Sequence, residues 1–405
     1  MMSAKPAAPP ATYLSQAQEW ALTICVAVVT ANAYYIHPII GEVARDFGVS
    51  EARIGIVPAL NQLALALGIL LLLPLGDRYS NRTLCIIFVA CQTVFMLGMA
   101  LAEGLVAFTF ASTLLGFVTI APYLIPAFAS KRVAPERLGQ VTALLTAGVI
   151  FGILVARVGA GVIAEHTDWR LVYWGAFALM AGVSLFLPFA MKTDLSTAKR
   201  PRDSYASLIA SVFRLAREHR EMRVSALIQG LNFASFTATW LALALHLTSD
   251  AMGYGTDVVG YLAAIAAVSI VSTPRLGRWA DKVGPRRARL IVAVVQVAGV
   301  SLFYPFGFNL WALLVPLVLV NMVGPTVDVT GRMMFLSLAP EIRTRLTTFY
   351  IVCMFVGGAL GSVLGTAIYD AAGWGGTCLL LLGISGSILA LSFQAERIWQ
   401  KQSQD

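Results

Sequence analysis

Asp328 and Arg332 stand four residues apart inside a long apolar run. On a helix that spacing puts them on one face, where they can form a static ion pair. Arg157 lies in another apolar run. A guanidinium does not release its proton, so Arg157 either binds an anionic group of a ligand or fixes a helix contact with a carboxylate. His37, followed by Pro38, can change charge near neutral pH, whereas a lone histidine near a helix end is commonly a satisfied interfacial group. Asn61, Gln62, Gln229 and Asn232 are polar groups in apolar runs, suited to interhelix hydrogen bonds or to a cavity wall. Tyr34, Tyr123, Phe233, Phe236 and Trp240 are aromatic candidates for the same wall, or for packing. The charges weigh most, because each costs about 2.5–3.5 kcal/mol at the centre of a membrane helix.

The elements that must position these groups follow from composition. Hydrophobic residues make up 58% of the 405 and charged residues only 12%, against about 25% charged in soluble domains. So few charges do not cover a soluble surface of this size, and lipid must solvate most of the outside. The formal charge of +8 falls in short gaps between apolar runs rather than on one face, which argues against nucleic acid as a partner. Cys25, Cys85, Cys91, Cys353 and Cys378 all sit inside apolar runs without metal-like spacing and read as small apolar packers, with no metal site expected. Lys5 and a Pro- and Ala-rich stretch precede a first run that extends to about Ile40 without a cleavage signal, so a retained first span is expected.

A helix needs about 20 apolar residues to cross the hydrocarbon. That ruler predicts twelve spans, near 20–40, 52–75, 83–102, 104–128, 140–164, 170–191, 223–247, 257–275, 288–306, 308–335, 345–369 and 373–395. With the N-terminus inside, 25 of the 29 Lys and Arg residues fall on the cytoplasmic side and three (Arg45, Arg53, Arg170) outside, so both termini are expected in the cytoplasm. The long polar connection 192–222 contains most of an amphipathic stretch from Tyr205 to Arg223, with Leu208, Ile209, Val212, Leu215 and Ala216 against Arg214, Arg217, Arg220 and Arg223. It reads as a linker whose helix lies on the anionic leaflet. The expected organisation is a tail 1–19, a bundle 20–191, the linker 192–222, a second bundle 223–395 and a tail 396–405.

Three landmarks recur at one offset. Ala134-Pro135-Glu136 matches Ala339-Pro340-Glu341, and Trp169 matches Trp374, each 205 residues on; Asp77-Arg78 matches Asp281-Lys282, 204 on. Three pairs in register argue for a duplicated six-helix unit, a plan that puts the ligand at the midplane between the halves.

The same residues carry a family resemblance. Gly76-Asp77-Arg78-Tyr79-Ser80-Asn81-Arg82 resembles the loop signature between helices two and three of the major facilitator superfamily, and Gly277 to Arg287 resembles its copy between helices eight and nine. Within the superfamily, Tyr34-Tyr35, Pro38, Phe47-Gly48-Val49-Ser50, Gly161 and Asp168-Trp169-Arg170 resemble bacterial drug:proton antiporter-type efflux permeases. The resemblance implies an all-α integral membrane protein of twelve helices in two pseudo-symmetric six-helix bundles. Helices one, four, seven and ten would line the cavity, with Asp328 and His37 as proton-coupling candidates. Arg157, Arg332, Tyr34, Asn61, Tyr123, Asn232 and Trp240 are the cavity candidates. Asp77, Arg78 and Arg82 would latch against Asp281, Lys282 and Arg286 at the cytoplasmic face. The antiporter signature expects Gly, Pro and Gly where this chain has Ala156, Arg157 and Ala160. Gly148, Gly152, Gly161, Gly357, Gly358, Gly361 and Gly365 are expected to let backbones approach closely, as sliding contacts between the halves or as static packing.

The function implied is secondary active transport by alternating access, as proton-coupled efflux of small organic compounds. Uptake symport of a small, anionic metabolite and a non-transporting membrane solute sensor are the alternatives. No Gly-x-x-x-x-Gly-Lys-Ser/Thr loop occurs and no soluble segment is large enough for a catalytic domain, so no enzyme, ATP site or cofactor is expected and the proton gradient would supply the energy. The expected partners are a small-molecule substrate and the lipid bilayer, with the protein a functional monomer in the bacterial inner membrane.

Overall fold

In lipid every backbone N–H and C=O must be satisfied within its own segment, which leaves the helix as the solution for runs this apolar. In the computed structural model, which describes residues 13–191, 204–336 and 340–402, the chain is helical almost throughout and has no strand among those residues. The first six spans are α1 (Gln16–Asp46), α2 (Glu51–Gly76), α3 (Asn81–Ala100), α4 (Leu105–Ser130), α5 (Leu138–His166) and α6 (Trp169–Ala190). After the helix Tyr205–Glu218 come α7 (Arg220–Leu247), α8 (Thr256–Val283), α9 (Pro285–Phe306) and α10 (Leu310–Phe335). The last apolar stretch, Arg345–Ile398, is 54 residues long, about 80 Å as one helix and far beyond one bilayer. It breaks at Gly373 (φ 60°, ψ −158°), a left-handed position suited to glycine, and so forms α11 before the break and α12 after it. That makes twelve spans, an even number, so α1 starts and α12 ends on the same side. Of the expected tails and linker, residues 1–12, 192–203 and 403–405 lie outside the described residues, as does Ala339.

α1 and α4 are each broken beside a proline. α1 is Gln16–Ala31 and Ile36–Asp46 joined by a turn at 32–35; Pro38 has no N–H to offer the Tyr34 carbonyl four residues back. α4 breaks at Thr119–Ile120 ahead of Pro122.

Glycines let helices meet backbone to backbone. A Cβ on Gly152 would overlap the Ala27 carbonyl of α1, and one on Gly357, 205 residues later, would overlap the Gly230 carbonyl of α7. Gly148 likewise faces Thr23, and Gly361 and Gly365 face Ala234 and Ala238. These contacts lie within each half, which corrects the expectation that they slide between halves. Gly161, against Thr256 and Gly260, and Gly358, against Gln62, do bridge the halves.

The helix Tyr205–Glu218 also differs from expectation. Its apolar face does not lie on lipid: Leu208, Val212 and Ala216 are buried, and Ala216 joins a core with Met222, Phe335, Leu346 and Tyr350. Tyr205 donates its hydroxyl proton to the Leu71 carbonyl of α2. The helix thus ties the first half to the second at the cytoplasmic face, because protein offers its apolar stripe a closer-packed partner than lipid does.

At the outer ends the halves are in contact. Gly41 meets Thr248, Gly55 meets Thr366, and Gly161 meets the start of α8. There Gly255 provides no side-chain cap, and Glu165 of α5 supplies one from the other half. Its Oε2 accepts from the Thr256 amide at 2.7 Å and from the Thr256 hydroxyl at 3.3 Å, while that hydroxyl also reaches the Gly161 carbonyl at 2.9 Å. A carboxylate at a helix N-terminus satisfies an orphan donor and the positive end of the dipole.

Two outcomes follow from these contacts. Gly357→Ala should destabilise the purified protein by about 1–3 kcal/mol through overpacking, whereas Gly383→Ala, with nothing within 4 Å of the added methyl, should not lower its melting temperature. Glu165→Ala removes a cap of about 1 kcal/mol and should raise the ratio of outside-open to outside-closed molecules about fivefold. Spin labels on Thr167→Cys and Asp250→Cys, in a background lacking the native cysteines, would read this as growth of a longer-distance population. An unchanged distance distribution would remove Glu165 from the gate.

Candidate functional site

Arg157 lies in α5 towards its outer end and is 1% exposed. Its Nη2 donates to His37 Nδ1 at 3.1 Å. A guanidinium only donates, so His37 Nδ1 is the acceptor and the imidazole carries its proton on Nε2. The guanidinium carbon lies 5.3 Å from the Tyr34 ring centroid, 4.9 Å from Phe236 and 4.6 Å from Trp240. Tyr34 and His37 flank the break in α1, their rings 5.3 Å apart, so the turn that Pro38 favours is what aims both at Arg157. Phe236 and Trp240 are four apart on α7 and share a face. A cation of the first half is therefore enclosed by rings of both halves.

Magnitudes explain how this charge is tolerated. Three desolvated cation–π contacts contribute about 0.5–2 kcal/mol each, a sum in the range of the about 2.5–3.5 kcal/mol insertion cost. Among the described residues no carboxylate makes an ion pair with Arg157, so the helix-fixing carboxylate considered from sequence is absent there. Arg157 Nε and Nη1 have no hydrogen-bond partner.

Arg157 lines a cavity of about 360 Å³ between the halves. Below the outer contacts its wall includes Trp240 and Phe303; towards the cytoplasmic side it includes Asp328 and Arg332. Both Asp328 carboxylate oxygens accept from Arg332 Nε at 3.0 Å, and the two side chains are 28% and 30% exposed, so the pair is reached by solvent rather than sealed. The Tyr350 hydroxyl donates to the Asp328 backbone carbonyl at 3.2 Å, and the Arg332 guanidinium lies 5.1 Å from the Tyr350 ring. Deeper in, Asn232 Nδ2 donates to Gln229 Oε1 at 3.3 Å and to the Gly324 carbonyl at 3.2 Å, and Asn232 Oδ1 accepts from Gln296 at 3.2 Å.

The cavity departs from the expected arrangement in its walls. Its lining comes from α5, α7, α8 and α10 with contributions from α9 and α11, and α1 reaches the site only through Tyr34 and His37 beside Arg157. Asn61 and Tyr123 are not among the lining residues. Asn61 Nδ2 donates to the Ser112 carbonyl at 2.7 Å and its hydroxyl at 3.2 Å, clamping α2 to α4. Tyr123 packs against an apolar core built by all six spans of the first half together with Ile351 and Phe355 of α11. The reason is backbone contact: Gly68 and Gly116 let α4 close on α2, with Phe117 and Asn61 carbonyls where side chains would stand.

Two of the latch residues make bonds within their own halves. Arg82 donates to the Met191 carbonyl and, at 3.2 Å, to the Pro188 carbonyl at the end of α6; helix C-terminal carbonyls attract cations. Arg286 pairs with Glu221 at 3.2 Å. Neither bond crosses between halves. Arg78 lies 5.7 Å from the Tyr205 ring, Lys282 shares a surface pocket with Arg275, Arg278 and Trp279, Asp281 is exposed and the Asp77 side chain lies outside the described residues.

Sequence reasoning missed three positions whose side chains make buried or inter-half bonds. Glu165, the trans cap, was one acid at the end of a span. Gln296 stood as a lone polar residue in the ninth span, and that signal was available. Arg289 was counted as a loop cation, yet it is 1% exposed and donates to Ser225 Oγ at 3.1 Å.

Similarity to known proteins agrees with this architecture. The chain is 28% identical over 371 residues to the uncharacterized transporter YgaY of Escherichia coli O157:H7, covering 91% of this chain and 92% of that one. It is 20% identical over 322 residues to the multidrug resistance protein MdtG of Klebsiella pneumoniae (strain 342), covering 76% and 75%. Among solved structures it superposes on the nucleoside transporter NupG with a TM-score of 0.74 at 16% identity, covering 94% of this chain and 99% of that one, a likeness of fold. The family model of the Major Facilitator Superfamily matches residues 22–324 and 225–402. With twelve crossings, a duplicated half and a cavity between the halves, the chain belongs to the Major Facilitator Superfamily of transporters.

Proposed function

We propose that the protein is a proton-coupled exporter of small organic compounds, working as a monomer in the bacterial inner membrane and driven by the proton gradient rather than by ATP. The observation that carries this reading is Asp328, a carboxylate in the cavity wall with Arg332 as its partner. An ionised Asp328 holds Arg332. A proton on Asp328 removes its charge, weakens the pair and changes the field inside the cavity. Loading a proton from one side and cargo from the other then gives exchange, provided the outer contacts and the cytoplasmic ends open alternately.

The wall supports a carrier of organic rather than inorganic cargo. Most of its lining is apolar or aromatic, with Ile153, Phe233, Phe236, Trp240 and Phe303 around a few polar groups, the usual make-up of a small-molecule site. The likeness to MdtG, a multidrug resistance protein, supports export as the direction. A chain of this type acts on its cargo by moving it, not by converting it.

The test is growth and dye-free efflux in a bacterium deficient in its own exporters, with wild type beside Asp328→Asn at matched membrane abundance. Wild type should protect against at least one toxic compound, and Asp328→Asn should lose about tenfold or more of gradient-driven export. Everted vesicles should release protons when that compound is added. Sensitisation by wild type would reverse the direction to uptake, and equal protection by the variant would make Asp328 structural.

A further inference from the structure

Arg157 is the least accounted-for group in the molecule. It is buried, charged and in the cavity wall, with one nitrogen bound to His37 and its Nε and Nη1 unpartnered. Ring faces cover it on three sides, and they hold the guanidinium in place without consuming any of its donors. His37 adds to this, since its bond to Nη2 sets the rotation of the planar group. The result is a pre-oriented fork of N–H donors, the geometry that matches a planar carboxylate.

The charge balance points the same way. The ionisable side chains of the cavity wall are Arg157, Asp328 and Arg332, and Asp328 already pairs with Arg332. The cavity therefore carries one net positive charge in a mostly apolar surround, where an unpaired charge is costly and a bound anion is strongly favoured. Its volume of about 360 Å³ lies at the lower end of small-molecule sites. Trp240 and Phe236 beside the guanidinium offer flat faces to the body of a ligand.

We infer that Arg157 anchors a binding site for a small organic monocarboxylate, whose carboxylate accepts from the guanidinium edge that His37 leaves free and whose apolar or aromatic body lies along Phe236 and Trp240. The assignment rests on the reading of the cavity as the transport site and names its cargo class; it holds for either direction of transport. His37 is a positioning residue in this site, and Asp328 remains outside it as the group that exchanges protons.

Binding to the purified full-length protein in detergent, without any gradient, separates this inference from the transport reading. The probes are benzoate, cinnamate and octanoate, each against its neutral amide, together with the benzyltrimethylammonium cation. By calorimetric titration, at least one carboxylate should bind about tenfold or more tightly than its amide. Arg157→Gln should erase that preference, and Arg157→Lys, which keeps the charge but loses the fork, should retain part of it. Trp240→Leu should weaken benzoate and cinnamate more than octanoate. The inference is overturned if amides or the cation bind as well as the carboxylates, if no carboxylate binds wild type up to about 10 mM, or if Arg157→Gln binds them unchanged. The comparison of acid with amide on wild type needs no variant, so a misfolded Arg157→Gln does not decide the matter. Carboxylate binding without export in cells would sink the export reading alone.

Discussion

Charge is expensive in hydrocarbon, and the layout of this protein can be derived from where its few intramembrane charges are accommodated. Backbone groups are satisfied by helix formation over most of the length of the described spans. The side-chain charges must then turn inward, towards protein or a water-reached space. Arg157 finds ring faces from both halves, and Asp328 and Arg332 find each other in the same cavity wall. A central cavity is the place where all three can lie, and it forms between the halves because neither half alone encloses Arg157.

The duplication is preserved in packing and discarded in chemistry. Gly152 and Gly357, 205 residues apart, make the same backbone contact in the two halves. The counterpart of Arg157 at that offset is Ser362, and the counterpart of Asp328 is Tyr123. Ser362 accepts from Gln62 at 3.5 Å between α2 and α11, and Tyr123 packs in a core. Helix contacts tolerate little change because a single Cβ collides with a carbonyl, whereas a cavity wall can gain or lose charge without altering the path of the backbone.

The two halves meet through several kinds of contact. The outer contacts combine glycine approaches and one carboxylate cap on α8 with a buried apolar cluster to which both halves contribute, Ile39, Ile40 and Val43 from the first and Trp240, Leu241 and Leu245 from the second. The contacts within each half are close-packed backbone approaches that a moving element does not need to break. At the cytoplasmic face the helix from Tyr205 is tethered to α2 through a side-chain hydroxyl while its apolar stripe packs on the second half, which keeps the two bundles linked through any rocking motion.

Apolar run length, the placement of Lys and Arg, and the 205-residue repeat determined the twelve crossings, the orientation and the two-bundle plan, since these depend on hydropathy and spacing along the chain alone. The same reading singled out Arg157, Asp328, Arg332, His37, Tyr34 and Trp240, because a charge or a polar ring in an apolar run is visible without knowing its neighbours. What each one touches was not legible. Only tertiary structure decided that Arg157 has aromatic faces and a histidine instead of a carboxylate. It also decided that Asn61 clamps two helices, that Arg82 and Arg286 bind within their own halves, and that Glu165 caps a helix of the other half. Those outcomes depend on which residues meet across helices distant in sequence, and that is set by glycine contacts and helix breaks acting in three dimensions, for which period and composition carry no signal.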